Sequence, residues 1–215
     1  HRRCDDAIIE YCNDLCYQGT LIPKRGKAPR PDLHVMHLPA LGYARVPGRE
    51  ERPTSGSVCN SIEASAVARW IADNRAALES FYVGQVIEDI VAVITPYRAQ
   101  KSSIARELAA LDLPAAITVG TVHALQGAER PVVLFSPANS HHAENKYLFW
   151  NGQPNLLNVV VSRAKDSFLV FSDMSMFAPS MATPAGMLGK LLLKADDNEI
   201  SVDVTAALQA ALGRA

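Results

Sequence analysis

Three polar clusters carry side chains able to act on phosphates, sugars or bases: Thr95-Pro96-Tyr97-Arg98-Ala99-Gln100, Gln126-Gly127-Ala128-Glu129 and Ser162-Arg163-Ala164-Lys165. Arg163 follows a largely apolar segment, residues 156–161. An arginine there either pairs with a buried carboxylate or reaches a phosphate, because its planar fork suits both. Gln126 and Glu129 can bond a ribose or a base, or simply cap their own turn, where Gly127 needs no ligand to explain it. Tyr97 and Arg98 offer a ring and a guanidinium to a base or a phosphate. The usual partner of such groups is missing. No Gly-x-x-x-x-Gly-Lys-Ser/Thr loop is present, the run Gly186-Met187-Leu188-Gly189-Lys190 fails on spacing, and no Gly-x-Ser-x-Gly elbow occurs.

Other chemistry is weaker. Cys12 and Cys16 stand four apart, so a helix puts both on one face, either as small buried apolar groups or, with Cys4, as metal ligands. Free thiols and no visible secretory signal point to the cytoplasm. The adjacent histidines His141 and His142 read as an exposed loop, with a metal site as the alternative. The formal net charge of −1 excludes a basic wrapper of nucleic acid, so any such contact is local. Residues 23–31, with Lys24, Arg25, Lys27 and Arg30 among prolines, read as a solvated loop in preference to a nucleic-acid patch. No apolar run is long enough to span a bilayer. The chain begins at His1 and not at methionine, which predicts a piece of a longer protein.

The positioning elements follow from periodicity. Residues 5–17 hold Ile8, Ile9, Cys12, Leu15 and Cys16 near the helical period, closed by Gly19. Residues 34–38 read as a short strand and 42–57, rich in Gly, Pro, Arg and Ser, as a loop. Asn60 and Glu63 form a candidate capping box for a helix to about Ala77. Residues 89–97, 115–122, 131–138 and 166–173 read as buried strands, and residues 98–111 as a helix. Residues 154–166 carry both signals: the Val159-Val160-Val161 triplet favours a strand, Asn158 and Ser162 suit a helix. Helical segments close the chain near 186–194 and 204–212. Buried strands alternating with helices predict an α/β domain with a mostly parallel sheet and the polar clusters along one strand edge.

In this order and spacing the clusters resemble the second RecA-like domain of superfamily 1 helicases, in the RNA-surveillance and DNA-replication helicase branch. Residues 94–100 match its motif IV, 121–129 its motif V and 157–165 its motif VI. Residues 1–21 are similar to the segment after motif III, and Asn60 to Ala64 to an Asn-x-x-Glu-Ala signature. The resemblance covers residues 1–178 and implies a RecA-like three-layer domain there, with 179–215 as a helical extension or the start of a following region. His123, Leu125, Val160 and the run Arg2-Arg3-Cys4 depart from the usual residues, with Arg2 the better match to the family's arginine. None of these changes removes a charged group that the family uses at the nucleotide.

The resemblance also implies a mechanism. ATP with Mg2+ lies between two RecA-like domains, the first supplying the phosphate loop, the magnesium-binding acid and the catalytic glutamate. The second supplies arginine fingers, here Arg163 and Arg2, and a motif V turn, here Gln126, Gly127 and Glu129, with Glu129 toward the ribose or γ-phosphate. Thr95, Pro96, Tyr97 and Thr121 would lie toward single-stranded DNA or RNA, with 5′ to 3′ movement as in this branch. Partners are then the strand and the protein's own N-terminal RecA-like domain, with no membrane and no metal ligands in this chain. The alternative is a RecA-like domain kept as a protein- or nucleic-acid-binding module without a working motor.

Overall fold

The computed structural model describes residues 2–33, 36–53, 57–121, 129–141 and 148–212. Helix α1 (Asp6–Cys12) opens the chain and runs into a wider helical turn, Asn13–Tyr17, ended by Gln18 and Gly19 at positive φ. A small antiparallel pair, β1 (Asp32–Leu33) and β2 (Met36–His37), precedes the main sheet. The main sheet comprises β3 (Leu41–Arg45), β4 (Val91–Thr95), β5 (Thr118–Thr121), β6 (Arg130–Phe135) and β7 (Ala164–Ser172), in the order β3-β7-β6-β4-β5. Every pairing in it is parallel. The helices that cover it are α2 (Ser61–Phe81), α3 (Ile87–Ile90), α4 (Arg98–Ala110), α5 (Leu148–Asn151), α6 (Pro154–Val161), α7 (Pro184–Leu192) and α8 (Val204–Leu212). This is the α/β RecA-like architecture.

Strand alternation divides the core in two. Val133 and Phe135 of β6, with Phe168 and Val170 of β7, pack with α1, α6 and α7 on one face. Val132 and Leu134, with Leu169 and Phe171, pack with α2, α3 and α4 on the other. Both faces are covered, which is why these strands read as unbroken apolar runs.

Several elements differ from the sequence expectation. Residues 42–45, read as loop, belong to the edge strand β3, parallel to β7. Gly42 hid it, yet a Cβ there would press on Pro39, Leu169 and the Asn198 carbonyl, so close packing against the neighbouring strand requires glycine. The ambiguous residues 154–166 split: Pro154 starts helix α6, which buries Leu156, Leu157, Val160 and Val161, and β7 begins at Ala164. Helix α2 extends to Phe81, beyond Ala77. Of the strand read over residues 34–38, Met36 and His37 lie in β2, and residues 34–35 fall outside the described residues.

The segment after Ala178 is packed into the same core. Ala185, Leu188 and Leu192 join the cluster with α1 and α6, and Tyr11 Oη donates to the Pro184 carbonyl at 3.1 Å. Ile200 N–H donates to the Tyr43 carbonyl of β3 at 2.8 Å, and α8 lies against α2. A Cβ on Gly189 would collide with the Phe177 carbonyl, a backbone atom that cannot move aside alone. Gly189→Ala is therefore expected to lower stability by roughly 3 kcal/mol, and thermal denaturation should show the loss in the main transition of the domain.

Candidate functional site

Because all five strands run the same way, residues that precede a strand and residues that follow one lie at opposite edges of the sheet. Thr95 ends β4, with Pro96 and Tyr97 after it, and Thr121, paired with Thr95, ends β5. Glu129 precedes β6 and Arg163 precedes β7. The expectation that the polar clusters share one edge is thus corrected. Their described residues form two groups separated by the length of the strands.

At the N-terminal edge, Arg130 N–H donates to the Arg163 carbonyl at 3.1 Å, which sets Glu129 and Arg163 side by side. The first residues of the chain run across the same place: Asp5 N–H donates to Lys165 O at 2.7 Å, and Arg3 pairs with Glu129 at 3.0 Å. Arg2 is exposed beside it. Arg163 is half-buried, its Nε donates to Val159 O at 3.1 Å, and among the described residues no carboxylate pairs with its guanidinium. Gln126 and Gly127 lie outside the described residues.

The basic run 23–31 is not a wholly solvated loop, because its two arginines turn inward. Arg25 bonds Asp166 and the carbonyls of Arg3 and Lys165, while Tyr82 Oη reaches the other Asp166 oxygen at 2.9 Å. Arg30 pairs with Asp5 at 2.6 Å, and Asp5 also caps α1 through Ala7 N–H. These pairs hold the opening segment against β7. The thiols here are packing groups: burial pushes Cys4 up to about 11 and Cys12 up to about 12, and both stay protonated. Among the described residues no group of three or more His, Cys, Asp or Glu side chains is placed to hold a metal.

At the C-terminal edge, Thr95 is fully buried and its Oγ1 accepts from Tyr97 N–H at 3.3 Å, so it shapes the turn from beneath. Pro96, Tyr97 and Thr121 are half-buried and line the rim. Tyr97 caps the start of α4, and its hydroxyl donates to Asn139 Oδ1 at 2.8 Å. Glu63 lies below. Asn60 Oδ1 accepts from Glu63 N–H at 3.1 Å as the capping box predicts, but Asn60 N–H goes to Gln100 Oε1 at 2.7 Å. The Glu63 carboxyl group turns inward instead, accepting from Ser136 Oγ at 2.7 Å and Ala138 N–H at 2.8 Å.

The family described as "AAA domain" matches residues 1–175. The chain belongs to this family. Within it, the chain is a C-terminal RecA-like domain of a superfamily 1 helicase. It is 28% identical over 178 residues to the mouse "5'-3' DNA helicase ZGRF1", covering 80% of this chain and 9% of that protein. It is 27% identical over 188 residues to the fission-yeast "ATP-dependent helicase upf1", covering 82% and 19%. The chain thus spans less than a fifth of the length of either relative. Among solved structures it is similar to the crystal structure of the C-terminal domain of a "possible DNA helicase" from a Lactobacillus, at 14% identity and a TM-score of 0.46, covering 80% of this chain and 86% of that one.

In this helicase domain the residues that sequence reasoning missed are buried ones: Ser136, Asn139 and Asp166. Asp166 and Ser136 stood inside or beside apolar runs and gave no signal of their own. Two measurements test the network. Asp166→Ala strands the part-exposed Arg25 and removes the Tyr82 acceptor, and should cost about 2 kcal/mol in chemical denaturation after allowance for solvent screening. Burial, with help from Asp173 and Glu50, pushes Glu63 from 4.5 up to about 8, against its hydrogen bonds from Ser136 and Ala138. The folded state then holds this proton more tightly than the unfolded one, so its contribution to stability is lost as pH rises from 4.5 to about 8. The thermal midpoint should fall through that window, and Glu63→Gln should remove that part of the slope.

Proposed function

We propose that this chain is the second motor domain of an ATP-dependent helicase or translocase acting on single-stranded nucleic acid. The observation that carries the reading is Arg163: a half-buried arginine between α6 and β7, beside Glu129, with no carboxylate partner among the described residues. A guanidinium held in that state fits a phosphate oxygen.

In this reading Arg163 and Arg2 stabilise charge on the transferred phosphoryl group when the domains close, while Glu129, with Gln126 and Gly127, borders the sugar side of ATP. ATP and Mg2+ are held mainly by the first RecA-like domain, which supplies the phosphate loop. The Arg3–Glu129 pair is largely exposed on the arginine side, so it is worth about 1 kcal/mol or less and can rearrange as the cleft closes. At the opposite edge, Pro96, Tyr97 and Thr121 grip a single strand of DNA or RNA through backbone contacts and stacking, with Thr95 supporting them. The separation of the two edges suits a motor, because closure at one edge shifts the grip at the other. The 5′ to 3′ direction is supported by the name of the mouse relative, a 5'-3' DNA helicase. Free cysteines support a reducing, cytoplasmic setting.

The test is Arg163→Ala in the full-length protein. Hydrolysis stimulated by single strands should fall by about 10³-fold or more, while the dissociation constant for a labelled ATP analogue stays within a few-fold. Full turnover in this variant would overturn the assignment. Absence of hydrolysis by the wild-type protein with either DNA or RNA would favour a binding module without a motor.

A further inference from the structure

The geometry points to Glu63 as the positioning residue of the strand-binding rim, acting through Tyr97. Two hydrogen-bonded arms run from its carboxyl group to that side chain. In one, Ser136 Oγ donates to Glu63 Oε2 at 2.7 Å and Gln100 Nε2 donates to Ser136 Oγ at 2.9 Å. Gln100 stands in the first turn of α4, which Tyr97 caps, so this arm fixes the backbone beneath the ring. In the other, Ala138 N–H donates to the same Glu63 oxygen at 2.8 Å and holds Ala138 at φ 63°, a left-handed conformation that its β-carbon disfavours. That turn presents Asn139, whose Oδ1 accepts both from Tyr97 Oη at 2.8 Å and from Trp150 Nε1 at 3.0 Å. Tyr97 is therefore held at its backbone and at its hydroxyl by arms that both start from one carboxyl group.

The donors around Glu63 suit its ionised form. Ser136 and Ala138 both donate to Oε2, and Asn60 Nδ2 donates to Oε1 at 3.4 Å. Ionisation makes these bonds charge-assisted and shorter, which tightens the turn. The charged groups that bear on the site are Glu50, before α2, and Asp173, after β7, the latter paired with His141 at 2.6 Å. Arg52 acts on Tyr97 itself.

The inference rests on the proposed strand-facing role of Tyr97, and the experiment separates the two. Binding of labelled oligothymidylate and oligouridylate by the full-length protein, without nucleotide, is measured by fluorescence anisotropy for wild type, Tyr97→Ala, Ser136→Ala and Glu63→Gln. Tyr97→Ala should weaken binding about tenfold, within the range for a stacked base, and Ser136→Ala about threefold, because it loosens the support and keeps the ring. Wild-type affinity should rise as pH passes about 8, and Glu63→Gln should abolish that step. A purely structural role for Glu63 would lower the thermal midpoint of Glu63→Gln and leave its pH profile intact. Wild-type affinity in Ser136→Ala together with an unchanged pH profile in Glu63→Gln, while Tyr97→Ala still weakens binding, overturns the positioning role alone. Unaltered binding in Tyr97→Ala overturns the strand-facing reading beneath it.

Discussion

The uniform direction of the five strands is the constraint on which the rest depends. A parallel sheet needs a crossover between neighbouring strands, and those crossovers bury both faces. The faces are then closed to ligands, and only the two edges remain for chemistry. Chain order assigns each polar cluster to an edge: before a strand means one side, after a strand the other. Glu129 and Arg163 are neighbours because β6 and β7 are neighbours, whatever separates them in sequence.

The two edges use different physics. The N-terminal edge is built from full charges, with Arg25 and Arg30 neutralised by Asp166 and Asp5 so that the opening segment is held in place. Among the described residues, Arg163 beside them has no carboxylate partner. The C-terminal edge is built from a buried carboxyl group surrounded by neutral donors, a fully enclosed arrangement in which each partner fixes the next.

How much of this was legible in the sequence depends on where each signal came from. The central strands announced themselves because burial on both faces demands unbroken apolar runs such as Val132 to Phe135. Helix α2 was signalled by Asn60 and its apolar stripe, and the helicase resemblance by Arg163 in its surroundings. The edge strand β3 was not legible, since five residues containing glycine and arginine carry no period. Nor was the partition of the clusters, because the pattern of apolar runs does not say which end of a strand a polar residue will occupy until strand direction is known. The inward turn of Glu63 was hidden by a second, local explanation for the same spacing.

One further feature bears on how the domain behaves among other proteins. The sheet ends at β3, a short strand whose outer backbone groups would otherwise invite another chain to add a strand. The chain supplies its own cover there: Ile200 N–H takes the Tyr43 carbonyl, and Glu199 accepts from the Tyr43 hydroxyl while pairing with Arg45. The residues around 199 thus cover part of the outer edge of β3. A version of the domain ending just short of them would keep both edges of its sheet and gain an adhesive flank.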